Sequence, residues 1–297
     1  MEYVIFDLEW DNCFYKPEKR FINQILQIGA VKLNESFDVI DSFSVTIRSA
    51  ISKKVTSRFA GLTGITTEKM LNGIPFEQAV RQFNEFSKNA QVTMTWSDSD
   101  LYTIVENEIL LKKSGIFFSM NYYLDLQKLV QAKMREKGYL SKNQISLEAA
   151  AEFFGISTEG FSMHTALDDS RVCALLLKLS FNQKVFDTLL KDTKNPEFYR
   201  RLHFKAYYIT DIGDSALDKT QFNFTCPECG CKVNRLSKWK YHNHCFSSPF
   251  KCPECNEKYI GRVNAKMTFE GMNYKRKLTK LKSKEKGNEV QSLPENV

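Results

Sequence analysis

Apolar positions cluster or alternate at residues 3–9, 24–32 and 39–47, which predicts three successive strands and hence an antiparallel meander. Residues 51–72 are less regular. Phe76, Ala79, Val80, Phe83 and Phe86 then recur with helical spacing, and 92–96 reads as another strand. A helix is predicted over Asp100 to Lys113 with Leu101, Ile104, Val105, Ile109 and Leu110 on its buried side, then a short strand and a helix over Asp125 to Lys137. Ser146 has the position of an N-cap and Gly155 that of a C-terminal stop for a helix over 146–154, and a last helix covers 165–181. Strands first, then alternating strand and helix, predict an α/β fold built on a mixed sheet flanked by helices.

Beyond that point the pattern weakens. Residues 184–221 read as a polar connection with some helical character, 222–268 as a small cysteine-rich module and 269–297 as a basic tail expected to be disordered when unbound. Charge divides along the same line. Residues 1–200 hold 24 Lys and Arg against 25 Asp and Glu, whereas 201–297 hold 18 against 10, so the basic balance belongs to the C-terminal third. Such asymmetry suits a polyanionic partner, nucleic acid before anionic membrane, and a solvated surface produces it equally well. No run approaches the roughly 20 apolar residues of a bilayer span and the N-terminus lacks a signal-peptide pattern, so a soluble cytoplasmic protein without a membrane partner is expected.

Six of the eight cysteines fall between Cys226 and Cys255, a placement that favours metal ligation over disulfides in a cytosolic chain. Cys226-Pro-Glu-Cys229 and Cys252-Pro-Glu-Cys255 form two C-x2-C knuckles, matching a closed structural zinc site. One Zn2+ held by Cys226, Cys229, Cys252 and Cys255 would supply folding energy that so small a module hardly obtains from its core. Redox-active Cys-x-x-Cys pairs would need a thioredoxin-like strand and helix, which the sequence lacks here. Cys231, His242, His244 and Cys245 lie between the knuckles as further possible ligands.

In the N-terminal part, Asp7 and Glu9 lie two apart on the first predicted strand, so both carboxylates share one face while Phe6 and Leu8 take the other. Adjacent acids repel, and an apolar strand tolerates them at a solvated end or beside a hard divalent cation. Asp100, with Asp98 as its neighbouring competitor, follows the strand ending at Trp96. His164 and Asp169, five residues apart, open the last helix. An isolated histidine there is more simply a helix-start residue satisfied by backbone or water.

Acid-x-acid on the first strand, an acid after a later strand, and His-x4-Asp at the closing helix, in that order, resemble the DEDDh branch of the DnaQ-like 3′-5′ exonuclease superfamily. Gln27-Ile28-Gly29-Ala30-Val31, Leu62-Thr63-Gly64-Ile65-Thr66 and Ser146-Leu147-Glu148-Ala149-Ala150 support the resemblance, which covers residues 1–183. It implies a ribonuclease H-like sheet, two Mg2+ or Mn2+ ions held by Asp7, Glu9, Asp100 and Asp169, and His164 as general base. Asp169 is preferred to Asp168, and Asp100 to Asp98, by the family spacing. Leu62, Thr63, Gly64 and Ile65 match a loop that packs against the terminal nucleotide in relatives. Where many relatives have threonine after the first-strand glutamate, this chain has Trp10 and Asp11; Trp10 is either a base-stacking residue or, more simply, packing.

The resemblance is greatest to stand-alone exonucleases of the histone-mRNA and KapD type, and the cysteine module looks like a zinc ribbon. The sequence thus predicts a metal-dependent 3′-5′ exonuclease acting on single-stranded nucleic acid, RNA before DNA, and releasing nucleoside 5′-monophosphates. The ribbon and basic tail are expected to hold the strand through Lys232, Arg235, Lys238, Trp239, Lys240 and Tyr241 and through Lys275, Arg276, Lys277, Lys280, Lys282 and Lys284. Three alternatives stand beside this reading: a DNA repair or proofreading exonuclease, a non-catalytic nucleic-acid-binding regulator that retains the fold, and, as the weakest, a zinc-ribbon transcription accessory whose N-terminal domain is ornamental.

Overall fold

The structure, a computed structural model, describes residues 1–111, 118–141 and 143–281. The chain divides into two units, Met1–His203 and Phe204–Val297.

The first unit contains β1 (Glu2–Tyr15), β2 (Arg20–Leu33), β3 (Val39–Arg48), α1 (Ser57–Thr63), α2 (Thr67–Leu71), β4 (Ile74–Pro75), α3 (Phe76–Ser87), β5 (Ala90–Thr95), α4 (Asp98–Leu111), β6 (Tyr122–Asp125), α5 (Leu126–Glu136), α6 (Leu147–Phe153), α7 (Ala166–Ser180), α8 (Gln183–Leu189), β7 (Lys191–Asp192) and α9 (Pro196–His203). Among the described residues its seven strands form one sheet in the order β4-β3-β2-β1-β5-β6-β7. The β1-β2-β3 meander is antiparallel, while β5 and β6 run parallel to β1 through helical crossovers.

Strand periodicity sorts the core onto two faces. Tyr3 and Ile5 point with Val31, Val92, Met94 and Leu124 toward α5, α6, α7 and α8. Val4, Phe6 and Leu8 point with Ile28 and Ala30 toward α3, α4 and α9. Both faces of the central strands are buried, so Tyr3 to Phe6 of β1 read as an unbroken apolar run. Each fully buried Ile, Phe or Leu contributes about 1.5–3 kcal/mol of hydrophobic stabilisation. Both predicted caps of α6 form: Ser146 Oγ accepts from Ala149 N–H, and Gly155 takes a positive φ of 68° just beyond the helix; Asp125, in addition, caps α5.

Several expectations are corrected. β1 is 14 residues long, not seven, so Asp7 and Glu9 lie mid-strand rather than near its end. Residues 51–72 contain the two short helices α1 and α2. Ile109, assigned to the buried side of α4, is 59% exposed, since its residue lies on the helix face turned from the core. Lys112 and Lys113 lie outside the described residues. The connection over 184–221, expected to have some helical character, carries α8 and α9 and packs on the first unit's core: Phe186 is buried in the first core, Phe198 and Leu202 pack on the second face, and β7 pairs with β6.

From Phe204 onward the chain builds the second unit: β8 (Tyr207–Tyr208), β9 (Asn234–Arg235), β10 (Lys240–His242), β11 (Cys245–Lys251), β12 (Lys258–Thr268) and β13 (Gly271–Lys280). The sheet runs β10-β11-β12-β13, with β8 paired to β12 and β9 to β11. Ile209, Phe222, Phe224, Phe246, Phe250 and Tyr259 are among the residues of its core. The stretch 271–280, read from sequence as part of a tail, is strand β13, because Met272, Tyr274 and Leu278 pack on this core in alternation with outward lysines. Residues 282–297, with Lys282 and Lys284, lie outside the described residues. No described helix is long and apolar enough to cross a membrane.

Candidate active site

Asp7 and Glu9 project from β1 on the face carrying Tyr3 and Ile5, toward α7. What brings α7 to them is Gly29, the residue opposite Asp7 in the β1-β2 register. A Cβ at Gly29 would stand 2.1 Å from Leu167 N and 2.3 Å from Ala166 C, so only a residue without a side chain lets the start of α7 rest on the sheet. Gln27, opposite Glu9, accepts a hydrogen bond from Ala166 N–H at 3.2 Å, and Ser170 Oγ donates to Gly29 O at 3.1 Å. This seat places Asp169, in the first turn of α7, over the strand. Asp7, Glu9 and Asp169 each offer an oxygen, and these atoms lie within 4.8 Å of one another.

Asp100 reaches the same strand from the opposite side. β1 stops pairing with β5 after Ile5 and Met94, which leaves Leu8 N–H without a strand partner on that edge. Asp100 Oδ1 accepts that N–H at 3.2 Å, and the residue is only 4% exposed. Asp98, the competitor, is exposed at the helix start. Asp168 is occupied: its oxygens accept from Arg171 Nη1 at 2.8 Å and from Ser162 N–H at 2.9 Å. Asp169 Oδ1, by contrast, is buried without a hydrogen-bond partner among the described residues.

Four acids so placed resist ionisation. Burial, then Asp100, Asp169 and Glu9, push Asp7 well above the carboxylate range. Burial, then Asp169 and Asp100, bring Glu9 up to about 8. Asp100 rises to about 7 through burial, against the pull of the Leu8 N–H, and Asp169 to about 6 through burial, partly offset by His164. Clustered oxygens, like charge and an orphaned buried acceptor are what a hard divalent cation relieves, so the donor set fits such an ion.

His164 precedes α7 in the left-handed region, φ 67°, with a half-exposed side chain whose Nε2 lies 3.6 Å from Glu148 Oε1. Trp10 is half-buried and packs on the α3/α4 core face. Leu62 is 53% exposed at the end of α1, Gly64 supplies the left-handed stop, and Ile65 is buried with Leu26, Phe59 and Met70. Asp11, given no role by the sequence, ties this segment to β1 by accepting from Thr56 N–H at 2.6 Å and Thr56 Oγ1 at 2.8 Å. Gln27, Gly29 and Ser170 were likewise given no role; a glycine inside an apolar strand is the sign that could have found the seat.

In the second unit the Sγ atoms of Cys226, Cys229, Cys252 and Cys255 lie within 4.8 Å of one another. Cys226 to Cys255 and Cys229 to Cys252 are each 3.5 Å apart, close to the edge of a tetrahedron with metal–sulfur bonds of about 2.3 Å, so the thiols fit zinc. Cys231 Sγ is 3.1 Å from Cys252 Sγ, whereas Cys245 Sγ turns to Phe246 O and the His244 ring stacks on Tyr208.

Comparison with known proteins adds an independent line. The chain is 29% identical over 194 residues to a DNA polymerase III PolC-type of Clostridium perfringens, covering 65% of this chain and 12% of that one. It is 26% identical over 190 residues to a probable 3′-5′ exonuclease KapD of Bacillus subtilis, covering 63% and 86%. The crystallographic nuclease domain of 3′hExo, a DEDDh family member bound to rAMP, superposes with a TM-score of 0.51 at 19% identity, over 60% of this chain and 90% of that one, and shares the fold. The chain spans about an eighth of the length of the polymerase it matches. Residues 4–177, more than half of the sequence and including every carboxylate of the cluster on β1, α4 and α7, match the family RNase_T, described as Exonuclease, and the chain belongs to that family.

Proposed function

We propose that this chain is a metal-dependent 3′-5′ exonuclease that hydrolyses single-stranded nucleic acid from its 3′ end, RNA in preference to DNA, and releases nucleoside 5′-monophosphates. The observation that carries the reading is the triad Asp7, Glu9 and Asp169 around the orphaned Asp169 Oδ1, within the family match. Asp7, Glu9 and Asp169, with Asp100 behind Leu8, would hold Mg2+ or Mn2+. Two such ions, when bound, supply an activated water and offset charge on the leaving 3′ oxygen.

The chain's own groups do the rest. His164 Nε2 takes the proton from the attacking water, and Glu148 Oε1 lies 3.6 Å from it. Asp100 holds the middle of β1, beyond its pairing with β5, through Leu8 N–H, the residue between Asp7 and Glu9. Leu62 offers an exposed apolar contact for the terminal nucleotide, positioned through Asp11 and Thr56. Trp10, packed on the core, serves as a wall rather than a stacking platform. The four cysteines would hold one structural Zn2+.

The preference for RNA is supported by the rAMP-bound nuclease domain of the same fold and by the Leu62 to Ile65 segment. A DNA substrate is favoured instead by the likeness to PolC-type polymerases. The test uses 5′-labelled single-stranded RNA and matched DNA, with magnesium or manganese and with chelator, beside Asp7→Ala. A metal-dependent ladder shortening from the 3′ end and absent in the variant is expected, faster on RNA. Salt-sensitive binding without cleavage in either metal would overturn the enzymatic reading, and faster loss of DNA would overturn the sugar preference.

A further inference from the structure

The sheet of the second unit has one face on its core and one open. Along β12 Tyr259, Gly261, Val263 and Ala265 are buried, while Lys258 and Arg262 are exposed and Lys266 half-exposed on the opposite face. Directly paired residues share a face, so the register extends this set. Arg262 stands opposite Lys277, Asn264 opposite Lys275, and Lys258 opposite Lys251. Arg262 also faces Ser247, which in turn faces Lys240. Seven cations thus share one face, and strands β8 to β13 contain no Asp or Glu.

Among the described residues none of these seven is paired with a carboxylate. Two other basic residues of β13 show the contrast. Arg276 donates to Asn223 O and lies over the Phe224 ring, and Lys280 is held by Glu228 and Glu257. Like charges directly across a strand pair, as in Arg262/Lys277 and Lys251/Lys258, destabilise a sheet. A polyanion lying along the face would turn that cost into binding energy.

One end of this face carries a flat-ring site. An open groove of about 640 Å3 is lined by residues including Tyr207, Tyr208, Tyr241, Asn243 and His244. The Tyr208 and His244 rings stack at 4.5 Å and 22°, and Lys266 Nζ sits 5.4 Å from the Tyr208 ring centre. His244 is exposed on the two-residue turn between β10 and β11, where Asn243 and His244 both have positive φ, 47° and 58°. Asn264 Nδ2 donates to His244 O at 2.6 Å and fixes the turn. A bulky non-glycine residue held at positive φ carries local strain, and here it presents an imidazole as the outer member of a stack.

We infer that this face and its ring groove form a binding site for single-stranded nucleic acid, with backbone phosphates along the lysine and arginine rows and an unpaired base continuing the Tyr208-His244 stack. A stacked platform beside a cationic track is the chemistry that recognises a single strand. A duplex keeps its bases enclosed. A lipid surface would need aliphatic side chains to enter it, and among the described residues of these strands Tyr207 is the one large apolar side chain left exposed. The site rests on nucleic acid being the substrate, and its test reads binding alone, so a failure of catalysis does not decide it. It also relocates the expected contacts: Trp239 packs against Phe222 and Phe250 in the core, with Arg235 over its ring.

The full-length protein carrying Asp7→Asn, which consumes no strand, is titrated with a fluorescent oligouridylate of roughly 12 nucleotides, within the span of such platforms, across a potassium chloride series. The combined Arg262→Gln, Lys266→Gln, Lys275→Gln and Lys277→Gln variant should bind about 10- to 100-fold more weakly and flatten the log-log salt slope by about 2–3, since each lost phosphate contact removes about 0.7. His244→Asn, which keeps a residue suited to positive φ, should weaken binding about fivefold or more without changing the slope. Lys280→Gln should change neither. Equal affinity of the combined variant, or binding of phosphatidylserine vesicles in place of the oligonucleotide, overturns the site. If zinc content or circular dichroism shows that the combined variant does not fold, photocrosslinking of 5-iodouridine oligonucleotide to the otherwise unaltered chain decides: adducts at Tyr207, Tyr208 or His244 support the site, and adducts confined to residues 1–203 overturn it.

Discussion

Removing a charge from the proposed catalytic centre should make the magnesium-free protein more stable. Glu9 is brought up to about 8 from an ordinary 4.5 by burial and by Asp169 and Asp100. A carboxyl raised in the folded state contributes least destabilisation at low pH, and folding loses about 1.4 kcal/mol per pH unit as pH climbs from the unfolded to the folded value. Over the whole interval the ceiling is about 5 kcal/mol at pH 8 for Glu9 considered alone. Because Asp7, Asp100 and Asp169 share the same field, neutralising one group recovers part of that, about 2–3 kcal/mol. For a unit of 203 residues this corresponds to a rise in Tm of roughly 4–12 °C.

The assay compares wild type and Glu9→Gln by thermal melts at pH 8 and pH 5, after exchange into magnesium-free buffer without chelator, with zinc content verified so that the second unit is unaltered. At pH 8 the variant should melt higher, and at pH 5, where Glu9 is protonated in the folded state, the difference should nearly vanish. Added magnesium should then raise the wild type more than the variant. A variant that melts at or below the wild type at pH 8 would refute the argument that these acids are held together against their own repulsion.

Other outcomes follow from named contacts. His164→Ala should lower kcat by about 10²–10⁴-fold while leaving magnesium-induced stabilisation intact, and a loss under tenfold would remove it as general base. Gly29→Ala, whose methyl would meet the backbone of Ala166 and Leu167, should cost about 2–4 kcal/mol in urea unfolding and lower turnover by misplacing Asp169; a variant with wild-type stability and rate would sink the seat as described. Cys252→Ser should abolish zinc binding and the folded signal of the second unit, whereas Cys245→Ser should retain one zinc per chain by elemental analysis.

The parts of the fold legible in the sequence are those whose pattern is local. Two-residue spacing placed Asp7 and Glu9 on one face, and helical spacing located α3, α5 and α7. The contact that unites the cluster is not local: Gly29 matters because of Leu167, a residue 138 positions away with no pattern linking the two. Asp11 and Thr56 meet in the same way. β13 was hidden for another reason. Its inward row includes Arg276, whose guanidinium lies over Phe224, so an inward position carried a charge and the alternation of Met272, Tyr274 and Leu278 was obscured among lysines. β1 was read too short because Asp11 and Asn12 look like a turn, although both pair with β2.

The seat at Gly29 also bears on what could be moved or rebuilt. Asp7, Glu9 and Asp169 belong to two separate elements, and their convergence is written in a position with no side chain at all, opposite the first of them. Transplanting the acids onto another sheet would therefore reproduce the ligand types without the geometry unless the vacancy beneath the helix came with them. In this protein the missing methyl group is as much a part of the chemical machinery as the oxygens it brings into line.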